Sequence, residues 1–201
     1  MPRPVEFDRD EVLQGAMRLF WRQGYQKTSV RDLTEATRLQ PGSLYGAFSN
    51  KHELFLQSLD YYSRALHAEV DRVLRSDPPP LVRIERFIHG LLADSARDPE
   101  AKGCLLVNTL LEKPAEDPVI ARRVADALGY VEDVFAEVVR EAVRRGDLAP
   151  DADARAMARL LMTGIFGLRV YARMPVSADT LQGIADDLLG LMGIGQRRVE
   201  G

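Results

Sequence analysis

One cysteine, one tryptophan and three histidines in 201 residues close off a good deal of chemistry. A single thiol, Cys104, cannot form an internal disulfide and fits a reducing compartment. His52 and His89 stand isolated. His67 and Asp71 lie one helical turn apart, but no second ligand pair supports a shared metal ion. There is no run of about 18 apolar residues, so no membrane span is expected. The opening "MPRPVEFDRDEVLQ" mixes charges and lacks the apolar centre of a signal peptide. A soluble, cytoplasmic protein is expected. A Gly-rich phosphate loop, a G-x-S-x-G elbow and an H-E-x-x-H pair are all missing. An enzyme would have to rest on Cys104 as nucleophile, with His89 the only guess for its base, and no cofactor is called for.

Positive charge is also scarce for a nucleic-acid binder, since 27 Lys and Arg face 30 Asp and Glu. The distribution is uneven, however. Through Lys51, eight basic residues stand against six acidic ones, whereas the remainder has 19 against 24. Such a bias suits a basic head on an acidic body, and it suits ordinary solvated helix faces as well.

What the chain does have is helical periodicity almost throughout. Val12, Leu13, Ala16, Leu19 and Phe20 recur at three- and four-residue steps, with Asp8 placed to cap the helix and Gly24 to stop it. Thr28 or Ser29 then caps "VRDLTEAT", where Val30, Leu33 and Ala36 are expected to form the buried stripe. Pro41 suits a first helical position and leads into "GSLYGAF". Asn50 caps a long helix to about Arg75, and "PPP" at 78–80 makes the clearest break. Further helices are expected near 81–97, 103–113, 118–145, 152–173 and 178–193. No alternating pattern is long enough for a strand. The fold class is all-α: three short helices in a first domain over residues 1–52, then a long connecting helix and a larger bundle over 53–201.

"LTEATRLQPGSLYGAF" gives this organisation a purpose. A capped helix, a turn of three or four residues and a second short helix make a helix-turn-helix. Leu33, Ala36 and Leu39 are expected to pack inward, with Leu44 and Phe48 anchoring the second helix. Gln40, Gly42, Ser43, Tyr45 and Gly46 are then left facing out, a surface of polar groups and close-approach glycines that suits a major groove. Lys51 can reach a phosphate, and Thr28 with Ser29 would offer hydroxyls and free N–H groups at a helix N-terminus. An ordinary corner in a helical bundle has the same spacing but needs no exposed Tyr among Gly, Ser and Lys.

"TSVRDLTEATRLQPGSLYGAFSNKHELF" closely resembles the helix-turn-helix of the TetR (tetracycline-repressor-like) transcriptional regulators, as does the Phe20…Gly24-Tyr25 end of the preceding helix. The likeness is specific over about residues 8–60 and continues beyond only as helix number and length. It implies a homodimer that sets one recognition helix per subunit into successive major grooves of a near-palindromic operator in double-stranded DNA. It also implies that Thr28, Ser29, Gln40, Gly42, Ser43, Tyr45 and Lys51 touch that DNA. Arg38 departs from the family pattern, because such turns usually carry Gly there. A left-handed Arg costs roughly 1 kcal/mol, unless the turn is remodelled and Arg38 gains a phosphate.

The resemblance further implies that the bundle senses a small molecule and dimerises through its last two long helices. Met157, Leu160, Leu161, Gly164, Ile165 and Leu168 form a wide apolar stripe, and Leu181, Ile184, Leu188, Leu191 and Met192 form another. Either stripe would look similar in an internal core. Phe87, Leu91, Leu105, Phe135, Met162 and Phe166 are the candidate pocket walls. Cys104 opens "GCLLVNTLLEK", where a helix N-terminus favours thiolate, and Asn108 follows one turn later. Cys104 is then either an electrophile or oxidant sensor or a small packed hydrophobe. The reading is a ligand-responsive regulator, a repressor first. A helical protein–protein adaptor with a degenerate helix-turn-helix is the alternative, and it would account for the acidic bulk and for Arg38.

Overall fold

The computed structural model describes residues 7–98, 100, 102–112 and 117–195. These residues form nine α-helices and no strand: α1 (Arg9–Gln23), α2 (Val30–Thr37), α3 (Pro41–Phe48), α4 (Lys51–Leu74), α5 (Pro80–Arg97), α6 (Leu105–Leu111), α7 (Pro118–Arg145), α8 (Ala154–Tyr171) and α9 (Ala178–Leu191). The chain packs as two compact units. One comprises residues 1–65 and 104–126, the other 66–103 and 127–201. Packing thus groups α6 and the start of α7 with the first three helices and the first part of α4.

In the first unit, local chemistry sets each helix start. The Asp8 carboxylate accepts the Asp10 and Glu11 N–H groups at 2.8 and 3.4 Å, capping α1. Gly24, at φ +85°, ends α1 in a conformation that costs a glycine little. Ser29 and Asp32 form a reciprocal capping box on α2, and Asn50 Oδ1 accepts the Glu53 N–H at 2.8 Å to start α4. Phe20 and Phe55 meet edge to face with centroids 4.9 Å apart, among buried Leu13, Leu33, Leu44, Phe48, Leu54 and Leu59.

The expected stripe on α2 is narrower than its spacing predicts. Leu33 is fully buried, but Val30 is 38 % exposed and Ala36 is exposed too. The reason lies in how α1 crosses α2. A Cβ on Gly15 would come within 3.0 Å of the Ala36 carbonyl oxygen, so this contact is made by backbone, and the Ala36 methyl is left outside.

The second unit is a bundle around an apolar core in which Phe87 and Phe135 pack edge to face at 5.5 Å. Leu161, Ile165 and Leu168 of α8 and Leu181, Ala185 and Leu189 of α9 face this core. Gly164 lets the two helices close up, since a Cβ there would collide with Leu188. Leu160, Val170 and Leu191 lie outside the core, 56 %, 51 % and 90 % exposed, so each of the two expected stripes is split between an inner and an outer face. Arg83 is buried, and its guanidinium donates to the Leu74 carbonyl at 2.8 Å and to Glu141.

Candidate nucleic-acid interface

The reading surface is built from the α2–turn–α3 segment. Leu44 and Phe48 project 40° apart around α3 at 100° per residue and are buried, fixing its inner side. The opposite side then carries Gly42 and Gly46, flanked by Ser43 and Tyr45. A Cβ added at Gly42 or Gly46 would meet nothing within 4 Å, so the packing of the protein itself asks for neither glycine. Gln40 is the N-cap residue of α3 but makes no capping bond through its side chain. Its amide is exposed beside the turn, and Ser43 and Tyr45 are half-buried.

Two residues that bracket α3 have positive φ without being glycine, Arg38 at 57° and Ser49 at 64°. Arg38 therefore keeps the left-handed turn, with its side chain exposed. Arg9 closes the other end of α3. Its guanidinium lies 4.4 Å from the Phe48 ring centroid and donates to the Ala47 carbonyl at 3.2 Å and to Gln57 Oε1 at 2.6 Å. No spacing rule announces that role, because Arg9 is distant in sequence from both partners.

The residues expected at phosphates occupy different settings. Thr28 is buried, and its hydroxyl donates to the Gly24 carbonyl at 2.6 Å, so it anchors the start of α2 from inside. Ser29 is exposed, with its hydroxyl accepting the Asp32 N–H at 3.1 Å while the Ser29 N–H donates to Asp32 Oδ2 at 2.8 Å. The Ser29 N–H, followed by the Ser29 hydroxyl, holds the Asp32 carboxyl below its ordinary range. Lys51 Nζ sits 4.5 Å from the centroid of the Tyr25 ring. Partial burial pulls its pKa down, against the carboxylates of Glu112 and Asp32, and this partly desolvated ammonium faces an electron-rich ring.

A carboxylate from α6 completes this region. Glu112 Oε2 accepts the N–H of Tyr25 at 2.8 Å and of Gln26 at 3.5 Å. Nearby, His52 of α4 and Asp117 pair at 2.7 Å, and Arg123 of α7 pairs with Asp60. The sequence reading missed all three, since only the folded chain brings these pairs together.

The residues expected around an effector are divided between the two units. Phe87, Leu91, Phe135, Met162 and Phe166 belong to the second unit, the first four packed at α5, α7 and α8 and Phe166 half-buried against the same core. Cys104, Leu105 and Asn108 belong to the first unit. Cys104 is the N-cap residue of α6 and half-buried, and the Tyr62 hydroxyl donates to its sulfur at 3.6 Å. Tyr62 in turn meets Trp21 edge to face at 5.1 Å. An open groove of about 980 Å³ in the second unit is lined by other residues, among them Leu81, Val82, His89, Arg145, Asp186 and Ile194.

The histidines have protein partners. His67 Nε2 donates to the Ala127 carbonyl at 2.9 Å, and His89 pairs with Asp186 at 3.0 Å. Asp71 accepts the Tyr130 hydroxyl at 2.8 Å and pairs with Arg75 at 2.9 Å, so His67 and Asp71 are turned to different partners. Among the described residues, no group of three or more His, Cys, Asp or Glu could hold a metal ion, and no helix is long and apolar enough to cross a membrane.

Comparison with known proteins agrees with this geometry. Residues 12–57 match the model of bacterial regulatory proteins of the tetR family, and residues 80–186 match a tetracyclin repressor-like C-terminal domain. The HTH-type transcriptional repressor ComR of Escherichia coli (strain K12) is 31 % identical over 198 residues, covering 94 % of this chain and 90 % of ComR. The HTH-type transcriptional regulator YezE of Bacillus subtilis (strain 168) is also 31 % identical, over 96 % of this chain and all of its own. Among solved structures, a cysteine-substituted form of the TetR family regulator CifR, complexed with 26-bp operator DNA, superposes with a TM-score of 0.85. It is 32 % identical, and the match covers 94 % of this chain and 98 % of that one. With its capped helix-turn-helix, its all-helical second unit and these relatives, the chain belongs to the TetR family and is a DNA-binding transcriptional regulator.

Proposed function

We propose that the protein is a cytoplasmic repressor that binds a palindromic operator as a homodimer and answers to a small molecule. The outward face of α3 carries this reading. Leu44 and Phe48 hold the helix from behind, while Gly42 and Gly46 bare its backbone and Gln40, Ser43 and Tyr45 supply the polar contacts. Lys51, Ser29 and Arg38 flank that face at phosphate positions, and Thr28 supports the α2 N-terminus from within. CifR, 32 % identical to this chain, is complexed with operator DNA, which supports operator binding. For dimerisation, the support is the exposed apolar side of α8 and α9, including Leu160, Val170, Tyr171 and Leu191, which a second copy would cover.

The effector would enter the second unit beside Phe87, Leu91, Phe135, Met162 and Phe166. In the first unit, Cys104 and Asn108 are separate candidates for sensing, Cys104 by reaction at its thiol. In this mechanism effector binding shifts α4, and the two recognition helices leave the spacing of about 34 Å that successive major grooves require.

Selection from random duplexes at two salt concentrations tests the reading. One palindrome should be enriched, with affinity falling steeply as salt rises. Tyr45→Ala should remain folded and dimeric but lose at least tenfold in affinity for that palindrome. Unchanged affinity would remove Tyr45 from the interface, and a wild-type protein that enriches no sequence would overturn operator binding.

A further inference from the structure

Glu112 has a chemistry that its position on α6 does not explain. It is the residue that ends α6, and its own N–H goes to the Thr109 carbonyl at 3.2 Å. Its side chain leaves that helix to accept two consecutive backbone N–H groups, those of Tyr25 and Gln26. The place has been cleared for it. Gly24 is at φ +85°, and a Cβ on it would overlap the Glu112 carboxylate, so the glycine serves both the turn and this approach.

Two parts of the reading surface hang from the loop that Glu112 grips. On one side the Gly24 carbonyl accepts the Thr28 hydroxyl, one residue before the Ser29 cap that starts α2. On the other, the Tyr25 ring packs on Phe55 at 4.7 Å and carries the Lys51 ammonium on its face. We propose that Glu112 is a positioning residue for DNA binding: by holding the Tyr25–Gln26 backbone it sets both the α2 N-terminus and the bed of Lys51. This inference rests on the operator-binding reading. It adds a link from α6, the helix that follows Cys104, to the reading surface through the Tyr25–Gln26 loop.

Removing an acidic side chain strengthens any DNA binding nonspecifically, so the useful quantity is affinity for the selected palindrome divided by affinity for a scrambled duplex. Glu112→Ala should lower this ratio about tenfold and speed hydrogen exchange at the Tyr25 amide. Glu112→Gln keeps an acceptor oxygen without the charge and should hold the ratio within threefold of wild type. A merely structural role would lower the thermal midpoint without this separation between the two variants. The proposal is overturned if the Glu112→Ala ratio stays within twofold of wild type, if its Tyr25 amide keeps full protection, or if Glu112→Gln loses as much as Glu112→Ala. A wild-type protein that selects no palindrome would instead remove the operator reading beneath it.

Discussion

The two units treat left-handed backbone differently. In the second unit, the positive-φ positions among the described residues are Gly103, Gly146, Gly193 and Gly195. In the first, Gly24 is joined by Arg38 and Ser49, one on each side of α3. A non-glycine residue gives up roughly 1 kcal/mol or more in this region. The bundle avoids that cost at its turns, whereas the reading helix bears it twice. Strain retained at both ends of one short helix marks a place where the side chain is worth more than the backbone's comfort. Both side chains are exposed, so neither is held there by burial.

The same contrast runs through the packing. The bundle is held by volume, through a continuous apolar core with Arg83 its notable buried charge. The reading head has eight-residue helices, α2 with a single buried side chain and α3 with two, so it leans on individually placed polar contacts. Arg9, Glu112, Thr28 and the Ser29–Asp32 box each fix one edge. Volume changes should therefore be felt most in the bundle, and polar or backbone changes should act on DNA binding.

The largest expected effect is in the bundle. Phe135→Ala removes a fully buried ring from its edge-to-face partner Phe87 and should cost about 3–5 kcal/mol, read by chemical denaturation of the dimer. A loss under about 1 kcal/mol would mean that the core is not tightly filled, and the contrast between the units would fail.

The next effect sharpens the comparison by reversing its sign. Gly146→Ala, at φ +75°, should destabilise the bundle by about 1 kcal/mol although its Cβ would meet nothing. Arg38→Gly, in nearly the same backbone region, should stabilise the protein by about 0.5–1 kcal/mol. Its operator affinity should nevertheless fall, and the salt dependence should lose about one phosphate contact. If Arg38→Gly binds the operator as well as wild type at every salt concentration, the strain at Arg38 has no return in DNA contact.

How much of this the sequence foretold depends on the range of the interactions. Asp8, Ser29, Asn50 and Pro41 were legible because a cap acts within one turn, and the span of α7 was legible because periodicity over 28 residues is hard to mistake. The buried stripe of α2 was not, because eight residues give too few turns to separate Leu33 from Val30 and Ala36, and the crossing at Gly15 uses backbone. On α3 and its N-cap, the placing of Gln40, Gly42, Ser43 and Tyr45 outside the core followed from the pattern around Leu44 and Phe48. Thr28 is chemically the same hydroxyl whether exposed or buried, and the fold alone turns it inward to Gly24. Arg9, Glu112 and the His52–Asp117 pair were out of reach, since each joins segments that no local rule connects.

The smallest effect concerns that last pair and tests whether polar contacts in the head can be switched singly. Partial burial of Asp117 opposes its ionisation, but the Ile120 N–H, His52 and the Val119 N–H outweigh burial and hold its carboxyl below the ordinary value. Because the folded value lies below the unfolded one, near 3.9, the ionised carboxylate contributes stability at every pH above that value. The contribution disappears as pH falls through the folded value. Both partners are about one-third exposed, so solvent screens the pair and the effect is small. Asp117→Asn should thus be slightly less stable than wild type at pH 5–6, and the two denaturation midpoints should converge as pH falls below about 4. A gap that persists unchanged at pH 3 would assign the Asp117 contribution to its shape and its N-terminal hydrogen bonds on α7. Convergence would show that one contact in the head can be released by charge alone while the apolar bundle stays as it was.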